Sequence, residues 1–219
     1  MAQTVLPFEY DANAVTPWDE LYPQLPPGLQ EACNQSLFLV QYLQTLPTAE
    51  IGVPQFYLKP ARSLSDLPYR NLIYAIKDGL YVHIYPDTTG ARDHHIAIEP
   101  TTVMNIDHLI PEIEDRLVAW AEEIGRLEEV DAKRALLLKL LDSMCTTTRV
   151  PRNNNSRKPE RIFVSPQELE ALRYRVLRDK IGMGVLQPLL LDPYIEDISC
   201  SGVGHIFIEH KIFKSVQSS

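Results

Sequence analysis

Glycine is scarce in this sequence, at 9 of 219 residues, and cysteine is scarcer, at 3. A phosphate-cradling loop needs glycines whose bare backbone amides converge on phosphate oxygens, followed by Lys and a metal-binding hydroxyl. The chain contains no G-x-x-x-x-G-K-[ST] run, which excludes a P-loop. Gly182-Met183-Gly184 supplies half of a dinucleotide fingerprint. However, Gln187 stands where its last glycine belongs, and the residues before it read as helix where a strand is needed. Cys33, Cys145 and Cys200 are far apart and in no C-x-x-C spacing, so neither a zinc site nor a disulfide framework is expected. No apolar run approaches the ~20 residues of a membrane-spanning helix; the richest, Ala135 to Leu141, is broken by Lys139. Positive charge is also short, with 21 Lys and Arg against 29 Asp and Glu and a net charge of −8. That balance argues against a nucleic-acid partner. Met1 to Glu20 carries Glu9, Asp11, Asp19 and Glu20 but no Lys or Arg, the reverse of a secretion leader. A cytoplasmic protein is expected.

Apolar residues make up 45% of the chain, enough for a proper core at this length, which buries roughly 70% of the unfolded surface. Proline is abundant at 17, and Pro7, Pro17, Pro23, Pro26, Pro27, Pro47, Pro54 and Pro60 crowd the first 60 residues. Each fixes φ and removes a donor, so residues 1–60 are expected to form an irregular arm. One helix fits within it, from about Leu29 to Leu46, with Leu29, Cys33, Leu37 and Val40 on its apolar side.

From Asn71 the pattern becomes β. Leu72 to Ile76 and Leu80 to Tyr85 flank Asp78-Gly79, a hairpin signal because Gly tolerates positive φ. A turn over Pro86 to Asp93 leads to His95 to Glu99, giving a three-stranded meander. Pro111 then opens a long helical stretch with Ile113, Leu117, Trp120, Ile124 and Leu127 on one seam. Its other face is acidic, through Glu112, Glu114, Asp115, Glu122, Glu123, Glu128, Glu129 and Asp131. A solvated helix face accounts for that charge. After Asp131 the seam shifts to Leu137, Leu141 and Met144, which predicts a kink or a second helix. Arg149 to Arg161, RVPRNNNSRKPER, reads as a basic linker without aromatics for base stacking. Ser165-Pro166-Gln167-Glu168 is a capping box with Pro at the first helical position and predicts a helix from Pro166 to about Ile181. Gly182 and Gly184 end it. Tyr194 to Cys200 and His205 to Glu209 read as a hairpin around Ser201 to Gly204, with a further strand from Ile212 to Val216.

The chemistry-bearing residues give no catalytic constellation. His83, His94 and His95, with Asp93 or Glu99, have metal-binding chemistry, but His94 and His95 point to opposite faces of one strand, so at most one joins His83. Glu196 and Asp197 have the chemistry of paired carboxylates, yet successive strand residues face opposite ways. With Asp192 they suit capping and turn hydrogen bonds better.

Tyr174, Arg178-Asp179, Gly182-x-Gly184, Pro188-Leu189, Asp192-Pro193, Ile195-Glu196-Asp197-Ile198, Gly202, Ile206-Phe207-Ile208, His210 and Phe213 follow one another in a particular order. This order resembles the N-terminal domain of secretion ATPases of the type II and type IV secretion superfamily, above all the archaeal branch serving pili, archaella and general secretion. The resemblance covers about a fifth of the chain strongly, with weaker support from Tyr74 to Tyr85 and Ile98-Glu99-Pro100. It implies Arg178, Asp179, Asp192, Glu196 and Asp197 as interface or domain-motif residues. It also implies ATP and Mg²⁺ in a C-terminal motor domain, with that motor, neighbouring subunits of a hexamer and a membrane platform protein as partners. The location implied is cytoplasmic and peripheral at the inner face of the membrane.

The expected fold is α+β in two small subdomains, a strand meander with packed helices followed by a helix-helix-hairpin unit. The boundaries expected are a Pro-rich arm (1–60), a first subdomain (61–148), a basic linker (149–164) and a second subdomain (165–219) interrupted in its sheet. The function expected is that of the regulatory and assembly domain of a secretion ATPase, with no catalytic residue, cofactor or metal in this chain. The alternative is a free-standing adaptor binding a protein partner through its acidic helix.

Overall fold

The Asp-Gly signal forms the turn it predicts. In a computed structural model describing residues 6–87, 92–148, 161–200, 202 and 206–218, Asp78 (φ 59°) and Gly79 (φ 72°) both take positive φ. The Ile76 amide donates to the Leu80 carbonyl across them (2.9 Å). Two successive residues of this kind match the twist of the strands they join, which is why Asp-Gly occupies the site.

In chain order the elements begin with helices α1 (Trp18–Leu21), α2 (Pro27–Gln35), α3 (Leu37–Leu43) and α4 (Thr48–Ile51). Strands β1 (Gln55–Tyr57), β2 (Leu72–Ala75), β3 (Tyr81–Tyr85) and β4 (His94–Ile98) follow. Then come helices α5 (Pro100–Val103), α6 (Ile110–Val118), α7 (Ala121–Arg126) and α8 (Val130–Met144), and the two-residue strands β5 (Cys145–Thr146) and β6 (Ile162–Phe163). Helices α9 (Pro166–Lys180) and α10 (Gln187–Leu191) precede strands β7 (Ile195–Ser199), β8 (Phe207–His210) and β9 (Lys214–Ser218). The fold is α+β, a strand meander with packed helices. Among the described residues no helix is long and apolar enough to cross a membrane.

The chain divides into two units, residues 1–102 with 188–219, and residues 103–187. The first is built on a seven-stranded sheet in the order β1-β2-β3-β4-β9-β8-β7. Strands β2, β3 and β4 form the antiparallel meander, and β7, β8 and β9 a second antiparallel set. The two sets meet where β9 runs parallel to β4, with His94 opposite Gln217 and His95 opposite Ser218. The Gln217 amide donates to the Asp93 carbonyl there (3.0 Å). One face of the meander presents Ile73, Tyr81, His83, Tyr85 and Ile96, as the register requires. It packs against α3 through Phe38 on Tyr81 and Tyr42 on His83, and against the segment before α1 through Phe8 stacked on Tyr85. The opposite face carries Leu72, Tyr74, Val82, Ile84 and His95.

Residues 1–60 depart from the irregular arm expected of them. Among their described residues are four short α-helices, and prolines open three of these rather than prevent them. Pro17 is the N-cap of α1, Pro26-Pro27 opens α2, and Pro47 precedes α4. A helix start has no intrahelical bond for proline to remove. The single helix expected over Leu29 to Leu46 is two, because Ser36 (φ −138°, ψ 103°) leaves the helical region and its Oγ accepts from the Leu39 amide (3.3 Å). Leu29 and Cys33 remain buried, but Leu37 turns outward and Phe38, Leu39, Tyr42 and Leu43 take the inner side of α3.

The second unit has its own core. It is formed by Ile110, Ile113 and Leu117 of α6, Leu137, Leu140, Leu141 and Met144 of α8, and Ala171, Leu172 and Val176 of α9, with Cys145, Ile162 and Val164. The capping box is present in full, the Ser165 Oγ accepting from the Glu168 amide (3.2 Å) and Glu168 accepting from the Ser165 amide (2.7 Å). The helical stretch from Pro111 is interrupted twice, at Trp120 (φ −110°, ψ 5°) and at Leu127 (ψ 126°). Gly125 sits just before the second break, where a glycine weakens a helix by about 1 kcal/mol relative to alanine. The seam expected to continue through Trp120 is therefore fully buried only as far as Leu117; Trp120 is exposed, and Ile124 packs against the core partly buried.

The division differs from the one the sequence suggests. The expected second subdomain is split, with α9 joining α6 and α8, and residues 188–219 adding three strands to the sheet of the first unit. The pairing of β9 with β4 is the physical cause, since it places the last strand inside the meander's sheet. Residues 149–160 of the basic segment, 88–91 of the turn after β3, and Ser201, Val203, Gly204 and His205 lie outside the described residues. Gly202 takes positive φ (102°), as a turn glycine does.

Candidate functional site

Asp192 follows α10 and precedes Pro193, a place where the sequence predicts a helix stop. Its carboxylate does more, because this part of the chain lies under the sheet face that carries Tyr74 and His95. Tyr74 Oη donates to Asp192 Oδ2 at 2.5 Å, His95 Nε2 donates to the same oxygen at 2.9 Å, and the Tyr194 amide donates to Oδ1 at 2.9 Å. His210 extends the chain of bonds. Its Nδ1 accepts from the Ile212 and Phe213 amides (3.1 and 3.2 Å), which leaves the proton on Nε2, 3.1 Å from Tyr74 Oη. Protons therefore point one way, from His210 through Tyr74 to Asp192, with His95 donating from the other side. Tyr194 stacks on His210 and meets Tyr74 edge-on.

Burial by itself would raise the Asp192 pKa and is the largest single influence. The hydrogen bond and charge of His95, the Tyr74 hydroxyl and the Tyr194 amide together outweigh it and hold the carboxyl below its usual range. Burial and the neighbouring carboxylate push the Tyr74 phenol well up, so it stays a donor. Burial lowers His210 to about 4. His95 Nδ1 is buried and has no partner among the described residues. Tyr74, His95, Asp192 and His210 are all buried, so this cluster joins β2, β4, β8 and the residues after α10; it is not open to a substrate.

A second buried relay occupies the other face. Tyr42 Oη donates to His83 Nδ1 (2.8 Å), His83 Nε2 to Asn71 Oδ1 (2.8 Å), and Asn71 Nδ2 to the Ile51 and Gly52 carbonyls (2.9 and 3.0 Å). Burial holds His83 at about 3, so it is neutral here. The register puts His94, and not His95, on the face of His83. Among the described residues no three His, Cys, Asp or Glu are placed to hold a metal ion.

The other motif residues separate. Arg178 and Asp179 lie in the second unit, near the end of α9. Asp179 accepts from Arg175 one turn earlier and from Arg178 Nε (3.0 Å), and Arg178 lies over the Tyr174 ring at 5.8 Å. Arg175 and Arg178 are both buried. Just beyond, a Cβ on Gly182 would come within 2.8 Å of the Arg178 carbonyl oxygen, so close backbone approach requires glycine there; Gly184 supplies the positive φ (59°). The Gln187 Oε1 accepts from the Met183 amide (2.9 Å) inside this turn. The side chain at the position of the fingerprint's last glycine thus closes this turn from within.

Glu196 and Asp197 are exposed on β7, an edge strand. Ile195 pairs with His210 and Asp197 with Glu209, so Glu196 is the extra residue of a β-bulge. The simple alternation expected there fails for that reason. Charges and a bulge on an edge discourage further strand pairing.

Sequence reasoning placed Asp192 and His210 in a motif but missed their partners Tyr74 and His95. The available signal was a Tyr and a His within strands otherwise Leu, Ile and Val, since polar side chains buried in a sheet need partners.

No protein-family profile matches the chain. It is 27% identical over 192 residues to an uncharacterized protein of Methanocaldococcus jannaschii, a match covering 84% of this chain and 35% of that protein. The chain thus spans about a third of its relative's length.

Proposed function

We propose that this chain is the regulatory and assembly domain of a hexameric secretion ATPase, of the kind that drives protein export or builds pili and archaella. The observation carrying this reading is the ordered series from Tyr174 to Phe213. Several of its members support structure in ways their order alone does not require. Arg178 and Asp179 pair on α9, Asp192 and His210 form one buried network, and Gly182 meets a backbone carbonyl. A domain that transmits motion rather than performing chemistry needs such fixed joints more than an open cleft.

In this reading ATP and Mg²⁺ belong to a motor domain C-terminal to these residues, and no step of hydrolysis is assigned here. The partners are that motor, the neighbouring subunits and a platform protein in the membrane, with the chain at the cytoplasmic face. The relative's greater length leaves that protein room for a further domain. The coding sequence downstream of Ser219 tests the proposal. A Walker A loop and an acidic Walker B strand are expected within the next domain-length stretch; an open reading frame without them overturns it.

A further inference from the structure

The ladder between β4 and β9 is short, and its register fixes which backbone groups of β4 it uses. Gln217 lies opposite His94 and Ser218 opposite His95, and the Gln217 amide donates to the Asp93 carbonyl (3.0 Å). Backbone groups of alternate strand residues point to the same side. Those of Asp93, His95, Ala97 and Glu99 therefore face β9, while those of His94, Ile96 and Ile98 face β3. A parallel strand continuing in this register takes the His95 carbonyl and the Ala97 amide as its next rung. The rung after that is the Ala97 carbonyl with the Glu99 amide.

The second of those rungs is already occupied from within the chain. The Glu99 amide donates to Thr102 Oγ1 (3.0 Å), and the same hydroxyl donates to the Ala97 carbonyl (3.0 Å). Thr102 is buried. Its own amide donates to the Glu99 carbonyl (2.9 Å), which ties the first turn of α5 back onto the strand it follows. The bond to the Glu99 amide alone would be half of a capping box. The bond to the Ala97 carbonyl has no place in a helix N-cap, which satisfies amides; it reaches back into β4. One hydroxyl thus supplies both the donor and the acceptor that a residue of a neighbouring strand would present.

We propose that Thr102 is a built-in stop for the β4–β9 ladder. A chain running on from β9 finds one rung on β4, at His95 and Ala97, and then meets the Thr102 hydroxyl where its next partner groups would be. It leaves the sheet at that level, and a strand from another molecule laid along β4 meets the same block. Unpaired sheet edges invite such pairing, and proteins close them by local devices. On β7 the devices are charge and a bulge; on β4 the device is Thr102. The inference does not depend on the secretion reading, because it concerns the direction a following segment takes and not what that segment is.

A Thr-Val-Thr-Val tail added after Ser219 offers the ladder a strand-forming continuation, and in the register of β9 its second residue falls opposite Ile98. In the full chain so extended, amide hydrogen exchange followed by NMR is expected to leave that second residue as fast as an unstructured peptide. In Thr102→Val and in Thr102→Ala its exchange is expected to slow about tenfold, with a cross-strand contact to Ile98. Thr102→Ser keeps the hydroxyl and is expected to leave it fast. Without the tail, the Glu99 amide is expected to exchange about tenfold faster in Thr102→Val than in the parent chain, which reads the hydroxyl's bond by itself. Amide spectra unchanged away from residues 97–102 show that each variant is folded. A slow tail amide in the presence of Thr102, a fast one in both variants that lack the hydroxyl, or a Glu99 amide indifferent to Thr102 each overturns the proposal.

Discussion

Replacing Asp192 by asparagine keeps one acceptor oxygen and turns the other into an amine. If the amine takes the Oδ2 place it faces Tyr74 Oη and His95 Nε2, which both donate; if it takes the Oδ1 place it faces the Tyr194 amide. Either way a buried donor loses its partner. Asp192→Asn is expected to lower stability by about 3 kcal/mol, and Tyr74→Phe by about 1–2 kcal/mol, both read from urea unfolding. The same region sets a pH dependence. His83 and His210 are held at about 3 and about 4, below the ordinary 6.5, by burial. The unfolded chain therefore binds protons at these sites below pH 6.5 while the folded chain does not, and stability falls with pH from there to about 4 and about 3. Asp192 acts in the same direction lower down. Its contribution is whole above 3.8 and is lost as pH falls through its depressed folded value. The urea midpoint is expected to drop steadily on acidification below neutrality, with a shallower slope in His83→Gln. A midpoint indifferent to pH would refute the assignment of both histidines as buried and neutral.

Single elements obey local chemistry more closely. The Ser165 hydroxyl and Glu168 satisfy amides at the start of α9 that have no helical partner, so Ser165→Ala is expected to cost about 1 kcal/mol. A thermal melt with an unchanged midpoint would contradict this. That cap, the Asp78-Gly79 turn and the strands of the meander were all legible in the sequence because neighbouring residues determine them. Ser36 was not, since a serine within an apolar 3.6-residue pattern is tolerated in a helix as often as it breaks one, and only the packing of Phe38 and Tyr42 decides. The bulge at Glu196 depends on the partner strand. The site was half legible for the same reason. Asp192 and His210 belong to a recognisable order, but Tyr74 lies 118 positions from Asp192 and 136 from His210, and no local rule joins them.

At the scale of the molecule, the decisive pairing is also non-local. Strand β9 lies against β4, so residues 188–219 complete a sheet begun by residues 55–98. The sequence suggested a separate second subdomain over 165–219, interrupted in its sheet; the two divisions predict opposite results on truncation. A chain ending at Gln187 loses β7, β8 and β9 together with Asp192 and His210. It leaves β4 as an open edge, uncovers the sheet face of Tyr74 and His95 to water and removes their shared acceptor, a loss of several kcal/mol of burial and bonding against a total stability of order 10. It is expected to lose the cooperative unfolding of the meander, followed by hydrogen exchange at Ile73, Val82 and Ile84. Residues 103–187 on their own keep the whole Ile113, Leu117, Leu141, Leu172 and Val176 core and are expected to retain a cooperative helical melt. The reverse outcome, a stable meander in the shortened chain and an unfolded 103–187, would return the boundary to the basic segment.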